Sequence, residues 1–226
     1  MSVVCAERVY EMSTSYEPLF KGIRAKCLQE RWFGPYFLSP MRRMQVPQDD
    51  PNHVGFVFPP ACEEQVQTTE TRLGVSFPSL LKALYMRIAN GGFGPGGGFY
   101  GIAGGYGSVE SGTYTGDVQT LIERYEGRSH KRTFDLAEYV GQGSHAKQIN
   151  VLVPYGEWWR ELLPICNLGC LQEACVDCQE RMFVVAPIER DDVYWLSQLP
   201  WTLEEWLWRW IKDEDLVEPY PLERCS

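Results

Sequence analysis

Ala89-Asn90-Gly91-Gly92-Phe93-Gly94-Pro95-Gly96-Gly97 packs five glycines and one proline into nine positions, and its reading decides the fold. Gly92, Gly94 and Gly97 satisfy the GxGxxG spacing of a dinucleotide-binding loop. That fingerprint needs a strand before the loop and a helix after it, so that the helix N-terminus faces the pyrophosphate. Here the order is reversed. Leu80, Leu81, Leu84, Tyr85 and Ile88 follow Pro78 as the apolar stripe of an amphipathic helix, and Phe99 to Ile102 is a short strand candidate. The near end of the loop is then a helix C-terminus, the negative end of the dipole, and Pro95 removes one N–H from the supposed cradle. No GxxxxGK[ST] sequence follows, which excludes a P-loop. Asn90-Gly91 reads instead as a helix stop, since both residues tolerate the left-handed cap conformation.

Outward from this loop, the N-terminal side divides in two. Residues 1 to about 55 read as an irregular extension, broken by Pro35, Pro40, Pro47 and Pro51, with room for a short helix around Leu19, Phe20, Ile23 and Leu28. Pro59 and Pro60 can open a helix over Ala61 to Leu73, which Gly74 would cap. On the C-terminal side, Gly104 to Gly116 reads as a long loop and Asp117 to Tyr125 as a helix. Phe134 to Val140 is a helical or irregular piece. Strand signals follow at Ile149 to Pro154, Leu162 to Cys166, Ala174 to Val176 and Met182 to Ala186. The last element is the clearest. Thr202 with Glu205 makes a capping box, Trp201 and Trp206 stand at the staple positions, and Leu203, Trp206, Leu207, Trp210 and Ile211 line one helical face.

A chain of 226 residues, 44% apolar, can bury one sizeable core. Its net charge of −9 repels phosphate backbones, so nucleic acid is not an expected partner, whereas a basic protein would be steered towards it. No stretch reaches the ~20 apolar residues of a membrane span, so no membrane is expected. Met1 to Tyr16 lacks an apolar signal core, which makes reduced thiols and a cytoplasmic setting the expectation for the eight cysteines.

Candidate chemistry is sparse. Cys166, Cys170, Cys175 and Cys178 could in number supply a tetrahedral zinc site, but only Cys175 and Cys178 have the usual two-residue gap. The same stretch reads as a hairpin, Leu162 to Cys166, a turn at Asn167 to Gly169, then Cys170 to Val176, in which cysteines fill small buried slots. The histidines, His53, His130 and His145, lie in polar or glycine-flanked segments, and neither a GxSxG elbow nor an HExxH helix occurs. No catalytic residue, cofactor or metal ligand is therefore expected. What remains is surface: acids collect at Asp49-Asp50, Glu189 to Asp192 and Asp213 to Asp215. Tyr106, Glu157, Asp191 and Asp192 are the expected partner contacts, chosen for exposure, acidity and loop placement.

Three blocks together carry a family resemblance. The helix ending Glu70-Thr-Arg-Leu-Gly74, then Phe77-Pro78 and a helix ending Asn90-Gly-Gly92, resembles the opening of the SUKH superfamily, named partly after a fungal regulator of cell-wall synthesis. Leu163 to Cys170 with Cys175 to Cys178 resembles a hairpin of bacterial members, and Trp201 to Trp210 resembles their closing helix. The resemblance covers roughly Phe58 to Asp215. It implies an α+β fold, a mixed or antiparallel sheet flanked by helices, with no catalytic residues to transfer. The expected division is a 1–55 extension, a 56–216 domain and a 217–226 tail. Many bacterial members are thought to be immunity proteins that neutralise polymorphic toxins, and fungal members act as regulatory scaffolds. The resemblance therefore implies a protein-binding role with a basic toxin domain as partner; a scaffold is the alternative, a thiol- or zinc-dependent enzyme the remoter one. The sequence does not fix the oligomeric state.

Overall fold

A computed structural model describes residues 15–29, 59–105, 108–109, 118–128, 132–134, 150–154, 157–169, 172–188 and 193–217. Among them the helices are α1 (Glu17–Gln29), α2 (Glu63–Leu73), α3 (Ser79–Arg87), α4 (Leu121–Arg128) and α5 (Leu203–Ile211). The strands are β1 (Ser108–Val109), β2 (Val118–Gln119), β3 (Arg132–Phe134), β4 (Asn150–Pro154), β5 (Glu157–Trp159), β6 (Leu163–Gly169), β7 (Gln172–Val176), β8 (Arg181–Ile188) and β9 (Val193–Thr202). Five strands form one antiparallel sheet in the order β4-β9-β8-β7-β6, and helices flank it, so the class is α+β. A parallel pair, β3 with β5, and a short antiparallel pair, β1 with β2, stand outside that sheet.

Both faces are packed over the middle of the sheet. Met182 to Val185 on β8 and Ala174 to Val176 on β7 are all buried, so these strands read as continuous apolar runs rather than as alternating ones. Trp158, Trp159, Trp206, Tyr85, Tyr100 and Phe99 are among the largest enclosed side chains of the described residues, and the Phe99 and Trp206 ring centroids lie 6.4 Å apart. The closing helix α5 has the predicted capping box: Glu205 N–H donates to Thr202 Oγ1 at 3.3 Å, and Thr202 N–H donates to the Glu205 carboxylate at 2.8 Å. Leu203, Trp206, Leu207 and Trp210 are buried, while the Trp201 ring carries the Arg209 guanidinium at 4.2 Å. Helix α1 buries Leu19, Phe20 and Ile23 and packs on α5, where Lys26 pairs with Asp213.

One tight turn ties two of these helices to the sheet. Between β7 and β8, the buried Asp177 carboxylate accepts the N–H groups of Gln179 at 3.0 Å and Arg181 at 2.9 Å. Glu180, left-handed at φ 62, then faces two helix starts at once. Its carboxylate accepts the Leu80 N–H of α3 at 3.0 Å, and its carbonyl accepts the Leu203 N–H of α5 at 2.8 Å. Each bond satisfies a donor that the helix itself cannot.

Several boundaries differ from those the sequence suggests, each for a local reason. Helix α2 starts at Glu63, not at the prolines, because the Gln65 side chain holds the Cys62 N–H at 2.8 Å; Pro59 instead accepts the Asn90 N–H. Gly74 caps α2 in the left-handed conformation as expected. Helix α4 begins at Leu121 rather than Asp117, since the Thr120 N–H donates to Glu123 at 2.6 Å, and Val118 lies in β2. The cysteine hairpin exists, but Asn167 to Gly169 continues β6, so its turn falls beyond Gly169. Phe134 ends β3, and the rest of the piece to Val140 lies outside the described residues. The ten-residue β9, an interior strand of the sheet, has no counterpart in the sequence reading.

Candidate functional site

The glycine loop turns its donors inward. Gly92 N–H bonds the Phe99 carbonyl at 2.8 Å, Gly98 N–H bonds Pro95 at 2.9 Å, and Gly97 N–H bonds Asn167 on β6. Phe99 forms a single bridge with Cys166, and Tyr100 N–H donates to the Ile165 carbonyl at 2.8 Å. The segment therefore docks on the free edge of β6 and leaves no cradle for a phosphate. Helix α3 stops at Arg87, three residues before the predicted stop at Asn90. Only Gly91 of the Asn90-Gly91 pair is left-handed, at φ 86. Asn90 does something else. Buried, it accepts the Ile102 N–H on its side-chain oxygen at 2.9 Å and donates to the Ala103 carbonyl at 3.2 Å, clamping the two ends of the loop.

The cysteines do not converge. Cys166 stands opposite Ala174 and Cys175 opposite Pro164, successive positions on β7 whose side chains point to opposite faces. Cys178 is exposed in the β7–β8 turn, and Cys170 lies outside the described residues. Among the described residues no group of three or more His, Cys, Asp or Glu side chains could hold a metal ion. Burial pushes the Cys166 thiol well above its ordinary value, with Glu173 adding to the shift, and the thiol donates to the Pro95 carbonyl at 3.1 Å. Cys178 is also raised, by burial and then by Glu161 and Asp177. A nucleophilic thiol needs the opposite shift. His53, His130 and His145 lie outside the described residues.

A buried ion cluster escapes the sequence reading altogether. Glu173 on β7 is 2% exposed. Its carboxylate accepts the Tyr100 hydroxyl at 2.6 Å and Arg124 Nε of α4 at 2.7 Å. Burial, then Glu173, pushes the Tyr100 phenol well above its ordinary range. Tyr85 donates to the Tyr100 carbonyl at 2.7 Å, which fixes the backbone that presents Tyr100. The cluster joins α4, the loop exit and the sheet, and its polar atoms are taken up internally. That is an architectural role.

Of the predicted partner contacts, Glu157 is described: half-buried, it opens β5 and stands opposite Arg132 of β3. Tyr106, Asp191 and Asp192 lie outside the described residues. Asp192 directly precedes Val193, which pairs with Pro154 at the end of β4, and Glu157 follows that same end three positions on. Among the described residues no helix is long and apolar enough to cross a membrane.

A model of the SMI1 / KNR4 family (SUKH-1) matches residues 60–211, from the proline before α2 to the last residue of α5. No curated protein and no solved structure matches the chain.

Proposed function

Since the chain belongs to the SMI1 / KNR4 family (SUKH-1), we propose that it is a non-enzymatic protein-binding domain, an immunity protein that occupies and neutralises a basic toxin domain. The observation that carries this reading is the charge balance, 30 carboxylates against 21 lysines and arginines. An anionic surface accelerates encounter with a cationic one and can stand in for the phosphates of a nuclease's substrate. Glu173 and Asp177 are committed to internal pairs, so other groups meet the partner, and Tyr106, Glu157, Asp191 and Asp192 stand as its proposed contacts. In this reading residues 56–216 bind the partner in the cytoplasm, and 1–55 and 217–226 are an extension and a tail. A regulatory scaffold is the second reading. It is favoured by the stretch ahead of the family region, from which α1 already packs on the body.

The test is co-expression with the basic C-terminal domain encoded by the neighbouring upstream reading frame. Restored growth is expected, together with a complex whose association rate falls steeply as salt is added. No rescue and no binding would remove the immunity reading.

A further inference from the structure

Strand β4 is the edge of the five-stranded sheet and, among the described residues, pairs with β9 alone. Edge strands are ordinarily blunted by charges, bulges or prolines along their length, because their outward N–H and C=O groups are a template for another strand. Asn150-Val-Leu-Val-Pro154 carries no charge, its five-residue register with β9 runs without a bulge, and its one proline blocks only the last rung. Leu152, at 60%, is the one exposed large apolar side chain among the described residues. Val153 beside it is buried, so the strand is anchored from within while Leu152 faces solvent at the rim.

The geometry points to β4 as the docking edge for the protein partner: an extended, basic segment of that partner adds to the sheet as a sixth strand, with Leu152 as its apolar anchor. This rests on the reading of the chain as a binder of a basic protein. Main-chain bonds along Asn150 to Val153 would supply affinity, and alternate side chains would supply selectivity. The charge of the occupant follows from the surroundings. In the sequence, Glu189, Arg190, Asp191 and Asp192 join Ile188 to Val193, which pairs with Pro154, so three acids stand against one arginine there, in keeping with the net charge of −9. A second copy of this chain could form the same backbone bonds. It would bring another net −9 to the same edge, which disfavours it against a cationic strand.

The experiment uses the full chain and the basic domain of the neighbouring reading frame. Amide hydrogen exchange is followed at Val151 to Val153 with and without that domain. Binding is measured for Leu152→Lys and, as a control of equal charge change, for Thr68→Lys on the exposed side of α2. Alternate N–H groups of β4 already donate to β9, so protection gained only in the complex is expected at the outward-facing ones among Val151 to Val153. Leu152→Lys should weaken binding at least ten-fold and Thr68→Lys less than three-fold, with unchanged thermal midpoints. Binding that leaves β4 unprotected and Leu152→Lys unaffected would overturn the edge and keep the immunity reading. Protection of every amide from Val151 to Val153 in the free monomer, the outward ones included, would overturn it too. A dimer of the free chain, by sedimentation, that Leu152→Lys dissociates would replace the partner by a second copy. Absence of any binding removes both proposals.

Discussion

Asn90 and Gly91 are neighbours with separate duties, and the difference is one of backbone against side chain. Gly91 holds φ 86, and a Cβ there would lie 2.5 Å from the Gly101 nitrogen. Gly91→Ala combines a left-handed strain with a backbone collision that cannot relax without moving the loop exit. A loss of about 2–3 kcal/mol is expected in urea unfolding. Gly127 in α4 is the internal comparison, because a Cβ there meets nothing within 4 Å. Gly127→Ala should gain about 0.5 kcal/mol from helix propensity alone. Equal effects at the two positions would show that the loop geometry is not what Gly91 serves.

At the scale of elements, the clearest device is the start of α5. Thr202→Ala removes the acceptor of the Glu205 N–H and half of a reciprocal cap, so a loss of about 1 kcal/mol is expected from the same unfolding measurement. A change below the error of the measurement would mean that Glu180, which holds the Leu203 N–H, suffices to start the helix. This box and the α3 stripe were legible because their signals are local: a fixed offset, and a period of 3.6 residues. Strand β9 was not. Its interior is buried on both faces, so Trp195, Leu196 and Ser197 give no alternation, and Pro200 argues against a strand. The register explains how that proline is tolerated: Leu199, Pro200 and Trp201 stand against Met182 alone, in a bulge. The Thr120 to Glu123 cap was available in the sequence, and it accounts for the late start of α4. The Glu173 cluster was not readable, because Arg124 and Tyr100 reach it from 49 and 73 residues away.

For the whole molecule, the raised acids set a direction in pH. Cys166, Tyr85, Tyr100 and Tyr125 all hold their protons more tightly when folded, burial being the largest cause in each. Above the ordinary thiol and phenol values of 9.0 and 10.0, the unfolded chain releases protons that the folded chain keeps. Their contribution to stability is thus complete below those values and is lost as pH rises through the alkaline range. The urea midpoint should fall steadily between about pH 9 and 11. Cys166→Ala, less stable at neutral pH, should show a shallower fall, and an identical slope would absolve the thiol. The docking of α1 on α5 has a consequence in time. Lys26 and Asp213 are 187 residues apart in the chain. At 5–20 residues per second, a ribosome needs roughly ten to forty seconds to make that interval. Throughout it Leu19, Phe20 and Ile23 have been synthesised but α5, the helix that packs on α1, has not, so the nascent chain carries that apolar stripe without it.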